Sequence, residues 1–221
     1  MKRLLVLRPE PGASVTVDRA KALGLDAFAV PLFAIEPVAW EAPPAADFDA
    51  LLVTSANALR CAGEELVKLR GLEVHAVGEA TAEAAREAGF SIASVGDAGA
   101  DRLLGSIDPG LKLLHLCGEH RREPQAPRQE VTPVVVYRAR ELDAADLSGV
   151  RDAVALVHSP RAARRLAAIV SDRGSISIAA ISEAAADAVG SGWAEVQLAS
   201  HPSDEALLAL EARLCNKPAP K

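Results

Sequence analysis

Residues 52–58 of the chain, LVTSANA, return 104 positions later as LVHSPRA at residues 156–162. Further matches share this spacing: 30–33 (VPLF) with 134–137 (VVVY), and 76–82 (AVGEATA) with 180–186 (AISEAAA). Widely separated matches in one unbroken register indicate an internal duplication. In both copies an apolar run precedes the matched polar residues, and an alanine-rich stretch follows them.

Short apolar runs alternate with alanine-rich stretches along the whole chain. This alternation predicts parallel sheets covered on both faces, in a doubly wound, flavodoxin-like α/β arrangement. We predict strands at 3–8, 27–35, 50–54, 73–77, 91–95, 111–116, 132–140, 153–158, 176–181 and 194–199, and helices at 14–24, 56–69, 79–88, 99–106, 160–171, 183–189 and 203–214.

The second copy departs from the first near its start. LLVL at 4–7 corresponds to LLHL at 113–116 with a spacing of 109, so this copy is five residues shorter before its second strand. Segment 118–130 contains two prolines and many charges but no large aliphatic residue. An amphipathic helix is not expected in such a segment. We therefore predict that the second copy has lost its first helix.

Two equivalent segments, 34–41 and 138–146, each have the pattern of an extended linker. If both cross between lobes, each lobe takes its first two strands from one copy and its last three from the other. The two crossings side by side would form a two-strand hinge. This predicts a discontinuous domain 1–34 with 147–214, a continuous domain 42–136, linkers 35–41 and 137–146, and a frayed tail 215–221.

Composition narrows the functional classes. A net charge of -6 and a pI near 5.4 argue against a nucleic-acid-binding protein. No apolar run reaches the roughly 18 residues of a transmembrane helix, and the first apolar run is too short for a signal peptide. The three cysteines contain no CxxC pair, so we expect a cytoplasmic protein without disulfides or zinc. We also expect a monomer with no membrane partner.

Several kinds of active site lack their sequence signature. There is no GxGxxG loop, P-loop, GxSxG elbow or HExxH motif, so we expect no nucleotide cofactor and no metal. Of the histidines, His75 and His115 lie within predicted strands, where a packing role is expected. His158 ends a strand and could reach a ligand.

Candidate ligand contacts lie where the strands end, because parallel sheets bind ligands beyond the carboxyl ends of their strands. The loops there are small, hydroxylated or glycine-containing, and helix N-termini favour anions such as carboxylates. For Ser55 and Ser159 the alternative is helix capping alone, and for Gly78 it is a tight turn. The candidate positions are Arg8, Thr54, Ser55, Gly78, Thr81, Ser159 and Ser182.

Tyr137 is the chain's only tyrosine and ends an apolar run just before a proposed crossing. It could be an amphipathic residue at a domain edge. Alternatively, its hydroxyl could face a cleft between the lobes as a hydrogen-bond donor or general acid.

The order and spacing of these motifs resemble the uroporphyrinogen-III synthase family over nearly the whole chain. The matching segments are Arg8-Pro9, 31–33, 35–37, 54–58, 77–82, 116–118, 136–138, 159–162, 181–183 and 202–207. The resemblance implies two flavodoxin-like domains joined by two strands. It also implies a cofactor-free lyase that cyclises hydroxymethylbilane to uroporphyrinogen III, with inversion of the last pyrrole ring, in haem biosynthesis.

In the implied reaction, loss of the terminal hydroxyl gives an azafulvene, and attack by the substituted carbon of the last ring gives a spiro intermediate. That intermediate fragments and recloses with the ring turned over. In the family pattern, Tyr137 falls where the tyrosine proposed to assist hydroxyl departure lies. The other candidate positions, from Thr54 to Ser182, fall where donors hold the substrate's carboxylates.

The chain departs from the family pattern in several places. Arg8 follows a leucine where threonine is common, and Ala185 replaces a common hydroxyl residue. The missing helix changes one wall of a lobe. Two other functions stay open: a non-catalytic two-lobe binding protein for a small anion, and an unrelated flavodoxin-like enzyme such as a sugar-phosphate isomerase. The second of these needs an acid/base pair, for which the loops offer only Glu79 and Glu183.

Overall fold

The structure, a computed structural model, describes residues 2–97, 99–143, 147 and 150–215. The chain divides into two compact units. Unit 1 comprises Met1–Ala34 with Glu141–Lys221, and unit 2 comprises Ile35–Arg140. Within the described residues, no helix is long and apolar enough to cross a membrane.

The elements alternate as the sequence pattern predicts. In chain order they are β1 (Arg3–Val6), α1 (Gly12–Ala22), β2 (Ala27–Ala29), β3 (Phe33–Pro37), β4 (Ala50–Val53), α2 (Ala56–Cys61), β5 (Glu73–Val77), α3 (Glu79–Glu87), β6 (Ile92–Gly96), α4 (Ala100–Ser106), β7 (Lys112–Gly118), β8 (Glu130–Glu141), β9 (Ala153–Val157), α5 (Pro160–Ile169), β10 (Ile176–Ala180), α6 (Glu183–Val189), β11 (Glu195–Leu198) and α7 (Asp204–Cys215).

The sheet of unit 1 has the strand order β2-β1-β9-β10-β11, and every neighbouring pair is parallel. Its middle strand, β9 (Ala153–Val157), is apolar throughout and buried at every position. Burial at every position is expected of a parallel strand that helices cover on both faces. If these five strands are numbered 1 to 5 along the chain, their spatial order across the sheet is 2-1-3-4-5, the order found in flavodoxin.

The sheet of unit 2 has the order β3-β8-β7-β4-β5-β6, and its pairs from β8 to β6 are parallel. If β7 and β8 are counted as the first two strands, these five strands repeat the flavodoxin order. The unit 1 sheet therefore takes two strands from the first copy of the repeat and three from the second, and the unit 2 sheet takes two from the second copy and three, with the edge strand β3, from the first. The predicted α/β fold class, with strand exchange between copies, is confirmed.

Two predicted elements are each divided in the structure. The single strand predicted at 27–35 is two strands in different sheets, β2 and β3. The break falls at Pro31, which has no N–H for a sheet ladder. The helix predicted at 56–69 stops at Cys61, and Gly63–Leu69 continues as a 3₁₀ helix. Gly63 has φ +63°, a left-handed conformation that cannot continue an α-helix.

Segment 118–130 contains no helix among its described residues, as predicted. Instead it is anchored to α4. The buried Gln129 amide donates to the carbonyls of Leu104, Ile107 and Asp108, at the C-terminal end of that helix. These bonds satisfy carbonyls that the helix end leaves without partners. Apart from Cys215, the predicted frayed tail lies outside the described residues.

Candidate functional site

The carboxyl ends of the unit 2 strands border a cavity of about 360 Å³. Its lining includes two hydroxyl groups, two arginines and one phenol: Thr54, Ser55, Arg121, Arg122 and Tyr137, with Gly118 beside them. Its volume lies at the lower end of the range for small-molecule sites, about 300–1,000 Å³. The sequence-predicted residues Thr54, Ser55 and Tyr137 are therefore brought together in one cavity.

Tyr137 lies on β8, next to the end of β7. Burial raises the pKa of its phenol, and the charges of Cys117 and Cys61 act in the same direction, while a hydrogen bond with Ser55 lowers it in part. The net pKa is above its ordinary value, so the phenol is protonated at neutral pH. A protonated phenol in a partly buried cavity can donate a hydrogen bond or a proton.

Gly118 leaves room for this phenol. A Cβ atom placed on Gly118 would lie 2.6 Å from Cζ of Tyr137 and 2.9 Å from its hydroxyl oxygen. The backbone pairs the two residues at a bulge between β7 and β8, and the Glu119 amide donates to the Tyr137 carbonyl at 2.9 Å. A glycine is required here because any side chain would occupy the space of the ring.

Thr54 is held by a neutral imidazole beneath the cavity. Its hydroxyl lies 3.1 Å from Nε2 of His115, which is almost fully buried on β7. Burial lowers the pKa of His115 to about 4, and the positive charge of Arg121 contributes to this. His115 is therefore uncharged at neutral pH and fixes the Thr54 hydroxyl through a neutral hydrogen bond.

The remaining predicted positions of unit 2 form the starts of helices. Ser55 caps α2, accepting from the Asn57 amide at 3.3 Å. Gly78 precedes α3 with φ +84°, and its amide donates to the Gly96 carbonyl. Thr81 is buried, and its amide donates to the Gly78 carbonyl at 3.1 Å. Thr54 and Ser55, both partly exposed, are thus the hydroxyl residues of this set that line the cavity.

Unit 1 has matching helix caps at the ends of its strands. Ser159 accepts from the Ala162 amide at 3.1 Å, and Ser182 accepts from the Ala185 amide at 3.3 Å. A capping hydroxyl uses a lone pair as acceptor and keeps its own O–H as a donor. Capping and ligand binding are therefore compatible at these serines.

Arg8, the predicted carboxylate contact of unit 1, belongs to a network centred on Asp204. Its Nη1 lies 3.4 Å from the Asp204 carboxylate, which also accepts from the Thr16 hydroxyl at 3.0 Å and lies 3.1 Å from His158 Nε2. Burial raises the pKa of Asp204, but the hydrogen bond and charge of His158, the charge of Arg8 and the Thr16 bond outweigh it, so the net pKa is lowered. This buried carboxylate therefore stays ionised and fixes the position of Arg8.

Sequence reasoning missed Gly118, Arg121 and Asp204. Gly118 follows an apolar strand directly, a position that could have indicated a close approach of the backbone. Asp204 carries no such signal, because acidic residues in a first helical turn are common for electrostatic reasons alone. Among the described residues, no three His, Cys, Asp or Glu side chains are grouped to hold a metal ion.

The two sheets of flavodoxin order and the hydroxyl-lined cavity define a two-unit α/β protein with a candidate small-molecule site at the strand ends of unit 2. The chain belongs to the uroporphyrinogen-III synthase family, because the family profile described as "Uroporphyrinogen-III synthase HemD" matches residues 14–209. The family consists of lyases of tetrapyrrole biosynthesis, and the predicted family, enzyme class and function are confirmed.

Solved structures of such synthases share the fold at low sequence identity. The structure resembles uroporphyrinogen-III synthetase from Helicobacter pylori 26695 with a TM-score of 0.70 and 16% identity, over 97% of this chain and 100% of that one. It resembles a mutant uroporphyrinogen III synthase from the extremely thermophilic bacterium Thermus thermophilus with a TM-score of 0.53 and 19% identity, over 97% and 98%. No curated protein matches the sequence.

Proposed function

We propose that Tyr137 assists departure of the terminal hydroxyl in the cyclisation of hydroxymethylbilane to uroporphyrinogen III. The carrying observation is that the phenol, protonated because of its burial, lines the unit 2 cavity with Thr54 and Ser55. Its proton is available at the pH at which the leaving hydroxyl must be converted to water. An acid that stays protonated at working pH meets the first requirement of a general acid.

The chemistry divides between proton transfer and positioning. Tyr137 donates to the leaving hydroxyl, water departs, and an azafulvene remains at the end of the bilane. The substituted carbon of the last ring then attacks to give the spiro intermediate, which fragments and recloses with the ring inverted. The last ring loses a proton as the macrocycle closes, and this proton restores the phenol. Isomer choice depends on how the bilane is held, which is catalysis by positioning.

The predicted binding residues supply neutral donors rather than a basic surface. Thr54 and Ser55 offer hydroxyl groups beside Tyr137, and Ser159 and Ser182 offer them at the strand ends of unit 1. Arg8 adds a guanidinium that Asp204 holds in place. We propose that these groups bind carboxylates of the substrate, helped by the favourable field at helix N-termini. This explains how a chain of net charge -6 binds a polyanion.

We propose a different role for Gly78 and Thr81. Both of their amide hydrogens are bonded to backbone carbonyls, and the Thr81 side chain is buried. Gly78 allows the backbone to approach the ligand closely at the start of α3, and Thr81 packs beneath that turn. Neither residue supplies a side-chain hydrogen bond to the substrate.

The test of Tyr137 is the Tyr137→Phe variant, assayed for uroporphyrinogen III formed from hydroxymethylbilane. Loss of a general acid lowers kcat by about 10²- to 10⁴-fold. The matched control is Ser106→Ala, which deletes a hydroxyl of unit 2 that donates to the Leu103 carbonyl rather than lining the cavity. Full activity of Tyr137→Phe would remove the phenol from the reaction. Stoichiometric binding without turnover by the natural protein would favour a binding protein instead.

We also propose the domain bounds 1–34 with 147–214 and 42–136, linkers 35–41 and 137–146, and a monomeric cytoplasmic protein without nucleic-acid or membrane partners. The exchange of strands between the two sheets supports two domains that each draw on both copies, and the two compact units divide the chain close to these bounds. The free thiols of Cys61 and Cys117 support the proposed cytoplasmic location. The acidic composition supports the proposal that the protein has no nucleic-acid partner. Light scattering on the eluting protein tests the monomer directly.

A further inference from the structure

The segment that replaces the lost helix, residues 119–129, contributes to the cavity that contains Tyr137. It brings three consecutive basic side chains to the cavity lining, His120, Arg121 and Arg122. Of the three, Arg121 is the most buried, with 22% of its side chain exposed, against 57% for His120 and 76% for Arg122. Arg121 is therefore the basic group that lies within the cavity rather than at its rim.

The side chain of Arg121 lines the cavity and interacts with the buried residues His115 and Cys117. Its charge lowers the pKa of His115, next to Thr54, after the larger effect of burial. It also forms a hydrogen bond with Cys117 that opposes the effect of burial on the pKa of that thiol. Because Arg121 and Thr54 both line this cavity, the positive charge faces the same space as the Thr54 hydroxyl.

The ion pair that holds Arg121 is weak. Its Nη2 lies 3.4 Å from a carboxylate oxygen of Glu123, whose side chain is 79% exposed. Exposed pairs of this kind contribute about 0–1 kcal/mol, since solvent competes for both partners. An incoming carboxylate can therefore displace Glu123 at little cost.

The segment itself is fixed in place. The backbone N–H of Gln125 donates to the Asp101 carboxylate at 2.6 Å. The side-chain amide of Gln129 donates to the Leu104 carbonyl near the end of α4. Anchoring at these points keeps Arg121 close to its binding position before the substrate arrives. A preorganised cation loses less conformational entropy on binding.

We propose that Arg121 binds a carboxylate of the bilane beside the reacting terminus, displacing Glu123. This inference rests on the proposed function of the Tyr137 cavity. A planar guanidinium can bind a carboxylate through two parallel hydrogen bonds, which fixes orientation as well as position. Arg121 thus orients the bilane end on the wall where the family helix is missing.

The first test replaces Arg121 and measures KM and kcat separately. Arg121→Gln is expected to raise KM for hydroxymethylbilane about 10- to 100-fold, the effect of losing a charged hydrogen bond, while kcat changes much less. Arg121→Lys is expected to bind the substrate more tightly than Arg121→Gln but less tightly than the natural protein. Lysine keeps the positive charge but lacks the planar group that forms two parallel hydrogen bonds. Arg128→Gln is the control: Arg128 belongs to the same segment but bonds the Gly105 carbonyl away from this cavity.

The second test changes Glu123, which is exposed enough to be replaced without unfolding the chain. Glu123→Gln frees Arg121 and is expected to lower KM about two- to fivefold, the equivalent of a weak exposed ion pair. Glu119→Gln makes the same charge change in the same segment, where Glu119 lies near His120, and is expected to leave KM nearly unchanged. An equal drop in both variants would indicate a general charge effect and overturn the role of Arg121.

The two proposals fail in different ways. If the natural protein forms no uroporphyrinogen III, the proposed function of the cavity fails first. If the natural protein is active and Arg121→Gln keeps the natural KM, the role of Arg121 is overturned and that of Tyr137 stands. A melting curve for each variant shows whether a change in KM comes from binding or from unfolding.

Discussion

Replacing Gly118 with alanine should disable the enzyme through Tyr137. The added Cβ would lie 2.6 Å from Cζ of Tyr137, whereas ordinary contact begins near 3.4 Å, so the ring must move by about 0.8 Å. Overpacking of this kind costs about 1–3 kcal/mol of folding free energy. A displacement near 1 Å at a reacting group lowers the rate on the order of 10²-fold. We therefore expect a large loss of kcat and a moderate loss of stability.

The assay compares kcat for uroporphyrinogen III with the free energy of unfolding in urea. The control is Gly105→Ala, in α4 of the same unit, where a Cβ meets nothing within 4 Å. Alanine there should raise stability by about 0.5–1 kcal/mol and leave kcat unchanged, because glycine is a poor helix former. The double variant Gly118→Ala/Tyr137→Phe should be no slower than Tyr137→Phe alone, since both changes act on one phenol.

Natural kcat and natural stability in Gly118→Ala would refute a required close contact between residue 118 and the phenol. In that case the ring would have an alternative position at no cost, and the close packing of Gly118 on Tyr137 would have no catalytic meaning. A further loss of kcat in the double variant would likewise show that Gly118 acts on something other than the phenol.

Three further predictions concern ionisable groups. Tyr137 is the only tyrosine, so the ultraviolet titration of phenolate reports on it alone; we expect a midpoint above the ordinary value of 10.0, and a midpoint at or below it contradicts the burial argument. The folded pKa of His115, about 4, lies below its ordinary value of 6.5, so its stabilising contribution is present above pH 6.5 and is lost as pH falls towards 4. Between pH 7 and pH 5, the free energy of unfolding in urea should therefore fall by about 2 kcal/mol less in His115→Leu than in the natural protein. Equal decreases in the two proteins would exclude His115 as the cause of this pH dependence. Asp204→Asn should cost about 1–3 kcal/mol because it replaces a largely buried charged acceptor with a neutral amide, whereas Arg19→Gln, at an exposed pair with the same carboxylate, should cost at most about 1 kcal/mol; equal costs would contradict the network.

Much of the fold follows from the register of the repeat. The constant spacing from LVTSANA to LVHSPRA indicated equivalent strands, and the extended segments between them indicated that strands are exchanged. The division of 27–35 into two strands was missed because its apolar pattern is continuous, and only the missing N–H of Pro31 marks the break. The end of α2 was missed because a single glycine, Gly63, is tolerated in many helices.

The helix caps among the candidate residues could be predicted from local sequence alone. Ser55, Ser159 and Ser182 precede helices, and capping is decided within three or four residues. The contact of Gly118 with Tyr137 depends on a strand pairing and a bulge that no local pattern shows. Arg8 and Asp204 are 196 positions apart, and their contact exists only once β1 and α7 are packed in unit 1.

Incubating the natural protein with hydroxymethylbilane and separating the product isomers tests the central claim most directly. Ring inversion requires a site that holds the bilane folded, whereas closure without the enzyme gives the type I isomer. We predict that uroporphyrinogen III predominates and that its yield falls sharply with Tyr137→Phe. Only the type I isomer, at the rate of the uncatalysed reaction, would contradict the account.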